Sequence, residues 1–200
     1  MLFRSKPGDG GMAAVLGLAD ELVVEGCAEV MSSGVGVVQG VNFNSPGQVV
    51  IAGSKAAVDQ AAEVLKAKGA RKVMPLPVSV PSHCDLMKPA AEKLALELNN
   101  VKFNQPKISV VQNVNAAIAN DIASIKDGLV KQLYSPVLWT DSIKTLAAQD
   151  VSVIVECGPG TVLSNLAKRL PNIEKAFPLD SNSRLEDALN AILVAEGKIA

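Results

Sequence analysis

The chain has 200 residues, 48% of them hydrophobic and 20% charged, with 19 basic against 20 acidic side chains and a net charge of −1. That is an ordinary globular composition, long enough to bury a real core in one or two units. It excludes the basic stripe of a nucleic-acid binder, and 3% aromatic content argues against a base-stacking platform.

Taken in chain order, residues 12–18 form a short apolar run that predicts a strand. Residues 20–32 carry a helical pattern behind Asp20, read as its N-cap. Strands are predicted over 35–43 and 48–52, separated by the turn residues Asn44-Ser45-Pro46-Gly47. An amphipathic helix over 55–68 starts behind Ser54 and stops at Gly69, and 71–78 returns as a strand. This βαββαβ order is the split, ferredoxin-like arrangement, with both helices on one face of a four-stranded antiparallel sheet.

After Val78 the texture changes. Helices are expected over 85–99, with Pro89 in the first turn, and over 122–134 and 138–149, parted by Ser135-Pro136. Strands are expected over 108–114, 151–156 and 176–179, the second as a run buried on both faces. Gly158-Pro159-Gly160 opens a helix over 161–170, and a last helix runs from Arg184 to about Ala195. Alternation of this kind implies a parallel α/β layer, and three strands are few for one. This half reads as part of a larger domain, and 11–78 as the more autonomous half.

No apolar run reaches the ~18 residues of a membrane span. Met1–Pro7 is too short and polar for a signal peptide, so a cytoplasmic location without membrane contact is expected. The cysteines, Cys27, Cys84 and Cys157, are far apart and odd in number. With one histidine and no Cys-x-x-Cys, they are expected to be free and mostly buried rather than zinc ligands.

His83, in Val80-Pro81-Ser82-His83-Cys84, is the only histidine. It is the natural candidate for acid/base work near neutral pH. Read from its residues alone, it is more readily an ordinary capping histidine before a helix. No Gly-x-Ser-x-Gly nucleophile elbow occurs in the chain. Gly158-Pro159-Gly160 lacks the third glycine of a dinucleotide loop and reads as a structural strand-to-helix turn. Asn42, Asn44 and Ser45 read locally as turn formers.

Four segments, Val41–Gly53, Pro77–Cys84, Gln132–Trp139 and Glu156–Leu163, stand in the order and spacing of one family. Together they resemble the malonyl-CoA:acyl-carrier-protein transacylases of bacterial type II fatty-acid synthesis, over residues 11–195. The resemblance implies an α/β fold in which a ferredoxin-like subdomain, 11–78, is followed by the C-terminal part of an α/β-hydrolase-like acyltransferase subdomain, 79–200. Residues 1–10 do not match. It implies His83 as catalytic base toward a serine and then a pantetheine thiol, oriented by a main-chain carbonyl near Gln132. Gln132, Asn42 and Asn44 would face substrate in the cleft between subdomains. Malonyl-CoA and acyl carrier protein are the implied partners, with no cofactor and no metal. Carrier proteins are acidic, so a subset of Lys66, Lys68, Arg71, Lys72, Lys88, Lys168 and Arg169 is expected to steer docking.

The family's elbow serine, oxyanion glutamine and carboxylate-pairing arginine belong upstream of the matched segments. Arg4 stands in no matching context. The chain is therefore expected to be the C-terminal portion of such an enzyme and inactive alone. An acyltransferase module of a polyketide synthase, and a non-catalytic module binding carrier protein or pantetheine, are the rival readings.

Overall fold

Alternate residues of a strand face opposite ways, and the first strand, β1 (Gly10–Leu16), uses both faces. Ala13 and Val15 enter one core cluster, Ala14 the other. The computed structural model describes residues 9–170, 173–195 and 197, so most of segment 1–10, expected not to match, lies outside the described residues. The chain divides into two compact units, one ending at Trp139 and one starting at Thr140.

In the first unit, α1 (Asp20–Ser32), β2 (Val38–Ser45), β3 (Gln48–Ser54), α2 (Lys55–Ala67) and β4 (Lys72–Pro75) follow β1. The sheet has the order β2-β3-β1-β4, and every neighbouring pair is antiparallel. A two-residue turn joins β2 to β3, with Pro46 followed by Gly47 at φ +72°. Proline fixes the first position and glycine alone enters the second without strain.

Helices α1 and α2 bury Val23, Gly26, Cys27, Val30 and Ala57, Val58, Ala61, Leu65, the three- and four-residue spacing of one helix face. These close over Val15, Val49 and Ile51. The opposite face of the sheet is also covered. Val41, Val50, Ala52 and Ala14 pack there with the fully buried Cys84.

Three local expectations need correction. Asp20 does not cap α1. Ala19 holds the N-cap position, and the Asp20 carboxylate accepts a hydrogen bond from Gly47 N at 3.1 Å, tying the helix start to the β2–β3 turn. The strand expected over 71–78 stops at Pro75, because Pro75 and Pro77 have no N–H to give the ladder. The strand expected over 108–114 is two residues, β5 (Val111–Gln112), paired antiparallel with β6 (Ala117–Ile118). The chain reverses at 113–116, where Asn115 Oδ1 accepts from Ala117 N at 3.1 Å, and Ile108 stays 80% exposed. An apolar run here is no sign of burial.

A short 3-10 turn (Asp85–Met87) leads into α3 (Lys88–Asn99), with Pro89 in its first turn. Asp121 caps α4 (Ile122–Lys131), its carboxylate accepting from Ser124 N at 2.8 Å and Ser124 Oγ at 2.6 Å. These bonds hold its carboxyl below the usual carboxylate range. Helix α5 (Trp139–Ala147) spans the division between units.

In the second unit β7 (Val153–Glu156) runs parallel to β8 (Lys175–Pro178), flanked by α6 (Val162–Ala167) and α7 (Asn182–Ala195). A parallel pair was expected here. Burial of β7 on both faces was expected too, but all four of its residues are only half-buried. Among the described residues no helix is long and apolar enough to cross a membrane, and no three His, Cys, Asp or Glu side chains form a metal-binding group.

Candidate active site

His83 stands in a turn built by its neighbours. Pro81 has no N–H, Ser82 N donates back to Val80 O at 2.9 Å, and Cys84 is buried beneath the sheet. Gly10 makes room for the approach, since a Cβ there would lie 2.5 Å from Ser79 O and 2.7 Å from Pro81 Cδ. Between the crossing and the buried thiol, His83 takes φ +65°, the left-handed region. A residue with a Cβ pays roughly 1–3 kcal/mol to be there, and such positions persist only where surroundings hold them.

The end of α4 supplies the hold. The last carbonyls of a helix have no partner within it. Gln132 O and Leu133 O, at and just past the C-cap, face His83. Leu133 O accepts from the His83 backbone N at 3.0 Å, and Gln132 O lies 2.7 Å from His83 Nδ1. A carbonyl can only accept, so Nδ1 carries the proton and the neutral ring's lone pair is on Nε2. The imidazole is thus fixed in the tautomer and orientation that a general base requires.

The same segment continues to β2. After Ser135-Pro136, Val137 O accepts from Phe43 N at 3.0 Å and Val137 N donates to Val41 O at 2.8 Å. Asn42 forms the parallel bridge with Val137, at a break in the β2–β3 register between Gly40 and Asn42. His83, Gln132 and Asn42 therefore share one scaffold, residues 132–137. Asn44 stands apart from that bridge, at the second register break, between Phe43 and Ser45. Gln132 also lines a cavity of about 370 Å³ with Phe103, Gln112 and Leu129.

The free thiols divide as their burial dictates. Cys27 and Cys84 are buried and Cys157 is exposed. Burial pushes the Cys27 thiol up to about 12 and raises that of Cys84, which donates to Pro81 O at 3.2 Å. Neither suits a nucleophile, which needs a thiolate.

In the second unit, Gly158 and Gly160 take φ +145° and +93° and turn the chain from β7 into α6. The Glu156 carboxylate accepts from Leu163 N at 3.1 Å, Ser164 N at 2.9 Å and Ser164 Oγ at 2.8 Å. Burial raises the Glu156 carboxyl, but these bonds outweigh it and hold the group below its ordinary range. The first-turn amides a phosphate would use are occupied by the chain's own carboxylate, so the glycine-proline-glycine segment is a structural turn. Sequence reading missed this role of Glu156. Its signal was an acid at the strand end, immediately before the turn.

Of the basic residues, Lys66 pairs with Glu63 at 2.8 Å, Lys68 with Glu29 at 3.1 Å and Lys88 with Asp85 at 2.9 Å. Arg71 and Lys72 are exposed side by side where β4 begins. Asp85 N donates to Gln39 Oε1 at 2.8 Å, a link across 46 positions that no local pattern announced.

Comparison with known proteins shows the family and the overall fold. Residues 1–176 match the model of the acyl transferase domain. The chain is 51% identical over 182 residues to a malonyl CoA-acyl carrier protein transacylase of Salmonella typhimurium, covering 91% of this chain and 58% of that protein. The crystal structure of FabD from Acinetobacter baumannii superposes with a TM-score of 0.91 at 58% identity, over 95% of this chain and 60% of that one. A type II PKS acyl-carrier protein in complex with its malonyl-transacylase matches with a TM-score of 0.89 at 45% identity, covering 93% and 60%. The chain thus spans about three fifths of the length of these relatives. With a mixed α/β fold shared at this identity and a family model matched over most of its length, the chain belongs to the acyl transferase domain family.

Proposed function

We propose that this chain supplies the general-base half of a malonyl transfer site, moving malonyl from malonyl-CoA to the phosphopantetheine thiol of acyl carrier protein. The observation that carries the reading is the 2.7 Å contact of His83 Nδ1 with the Gln132 carbonyl. It leaves Nε2 as the basic nitrogen, and it is the dyad geometry the resemblance implies. Gln132 and Asn42 are proposed to line the acyl or pantetheine path, with Asn44 further along the same lip.

The reaction needs a serine hydroxyl on an elbow, which none of the 200 residues provides in a Gly-x-Ser-x-Gly setting. With such a segment present, Nε2 takes the serine proton as Oγ attacks the malonyl thioester carbon. The carbon–sulfur bond breaks, and the imidazolium returns its proton to the departing CoA thiolate. In the second half Nε2 takes the pantetheine thiol proton, the sulfur attacks the serine ester, and the proton returns to the serine oxygen. Gln132 O, at the negative end of α4, faces the imidazolium while it exists.

On the same reading, 11–78 is the ferredoxin-like subdomain and 79–200 belongs to an α/β-hydrolase-like subdomain. The antiparallel sheet order β2-β3-β1-β4 supports the first assignment and the parallel β7–β8 pair the second, while the compact units themselves divide at 139/140. The likeness to a malonyl-transacylase bound to a type II PKS carrier protein favours one second reading, the same transfer onto a polyketide carrier.

The test is His83→Ala in the protein carrying the elbow segment. Acyl-enzyme formation and transfer to carrier protein should both fall by roughly 10²–10⁴-fold. A variant within about threefold of the parent makes His83 structural and overturns the reading.

A further inference from the structure

His83 is held in a backbone conformation that its own Cβ disfavours, at φ +65°. Several bonds pin the turn around it. Ser82 N donates to Val80 O at 2.9 Å, Met87 N to Cys84 O at 2.9 Å, and His83 N to Leu133 O at 3.0 Å. One more comes from a side chain elsewhere in the chain, where Gln39 Oε1 accepts from Asp85 N at 2.8 Å. The backbone amide can only donate, so the amide carbonyl of Gln39 is the atom engaged.

Strand alternation explains why Gln39 reaches this turn. Val38 is buried among the helices and Val41 on the opposite face with Cys84. Gln39 therefore faces the Val41 side, where the residues after His83 cross the sheet. We infer that Gln39 is a positioning residue for His83. It holds Asp85 to β2, so that the left-handed turn keeps Nδ1 on the Gln132 carbonyl. The Asp85 carboxylate is met separately by Lys88 at 2.9 Å, which leaves the Asp85 backbone N–H to an acceptor oxygen at position 39. The catalytic consequence rests on the reading of His83 as base. The geometric claim does not.

His83 is the only histidine, so its ring signals are unambiguous in a ¹⁵N-histidine spectrum of the 200-residue chain. The parent should show one tautomer, protonated at Nδ1, with a slowly exchanging ring proton. Gln39→Leu removes the acceptor, and the ring should show mixed tautomers with proton exchange roughly tenfold faster, the scale of one lost hydrogen bond. Gln39→Glu keeps an acceptor oxygen and should restore the parent pattern. Amide spectra of β1 and β3 report whether the fold is intact, and Gln39→Ala is read the same way if the leucine variant loses it. A ring signature in Gln39→Leu identical to the parent overturns the inference, as does Gln39→Glu behaving like Gln39→Leu. If His83→Ala leaves transfer intact while the ring responds as described, the catalytic reading falls and the positioning role stands.

Discussion

Cys84 and Val41 are both fully buried in one cluster, on the face of the sheet turned away from α1 and α2. The residue after the single histidine is thus a core residue of the preceding sheet, and the turn that presents His83 is anchored by hydrophobic burial on one side and helix-end carbonyls on the other. Labelling of the native protein tests this. The exposed Cys157 should react first, and Cys84 and Cys27 roughly a hundredfold more slowly, through local opening. All three should react in denaturant. Rapid native labelling of Cys84 would show that the turn is not packed on the sheet.

Alkaline stability follows from the same burial. The Cys27 thiol rises from 9.0 to about 12 on folding. Above pH 9 the unfolded chain gives up that proton and the folded chain keeps it. The unfolded state therefore binds fewer protons, and stability falls as pH rises, by about 1.4 kcal/mol per unit for a fully shifted thiol. Cys84 adds to the effect with the same sign. Urea midpoints at pH 8 and 10.5 should show the loss, and Cys27→Ala should flatten it. An equal slope in Cys27→Ala assigns the effect to other groups.

The elements that were legible in sequence are those whose signal is local. The Ala57, Val58, Ala61, Leu65 stripe, Pro46-Gly47 and the stop at Gly69 each carry their own geometry, and each stands where it was read. Asp20 was misread because a cap and a first-turn acid look alike until the partner is known, and its partner is Gly47, 27 positions away. Ile108 and Val110 were misread because apolar character alone does not say what covers a segment. The candidate site is proposed in the sequence only through motif resemblance. His83 is joined to the Gln132 carbonyl across 49 positions and Asp85 to the Gln39 side-chain amide across 46, and such partners leave no mark in sequence.

Two glycines separate backbone crowding from side-chain crowding. A Cβ on Gly53 would lie 1.9 Å from the Val37 carbonyl oxygen, on β3 where the backbone cannot yield. Gly53→Ala should cost at least about 3 kcal/mol, beyond ordinary overpacking. A Cβ on Gly128 would lie 2.1 Å from Gln112 Oε1, at the far end of a flexible side chain. There the gain in helix propensity, about 1 kcal/mol, opposes the lost Gln112 contact with Ile125 O, and Gly128→Ala should stay within about 1 kcal/mol of the parent. Equal costs at the two sites in chemical denaturation would contradict this account.

Carrier-protein docking is the part of the proposed function that surface charge can test. Lys66 and Lys68 are engaged with Glu63 and Glu29, so reversing them breaks contacts inside the chain and confuses the result. Arg71 and Lys72 are the cleaner pair, exposed and adjacent where β4 begins. An acidic partner meeting them gains little per contact, because water and salt screen exposed charges. Arg71→Glu with Lys72→Glu should therefore weaken carrier-protein affinity only roughly two- to tenfold at low salt. The more telling signature is the loss of salt dependence, since charges that steer association lose their effect as ionic strength rises. The folded state should be unaffected, which amide spectra would show. Affinity and salt dependence both unchanged in this variant, with loss on reversing Lys168 and Arg169 instead, would move docking to the second unit.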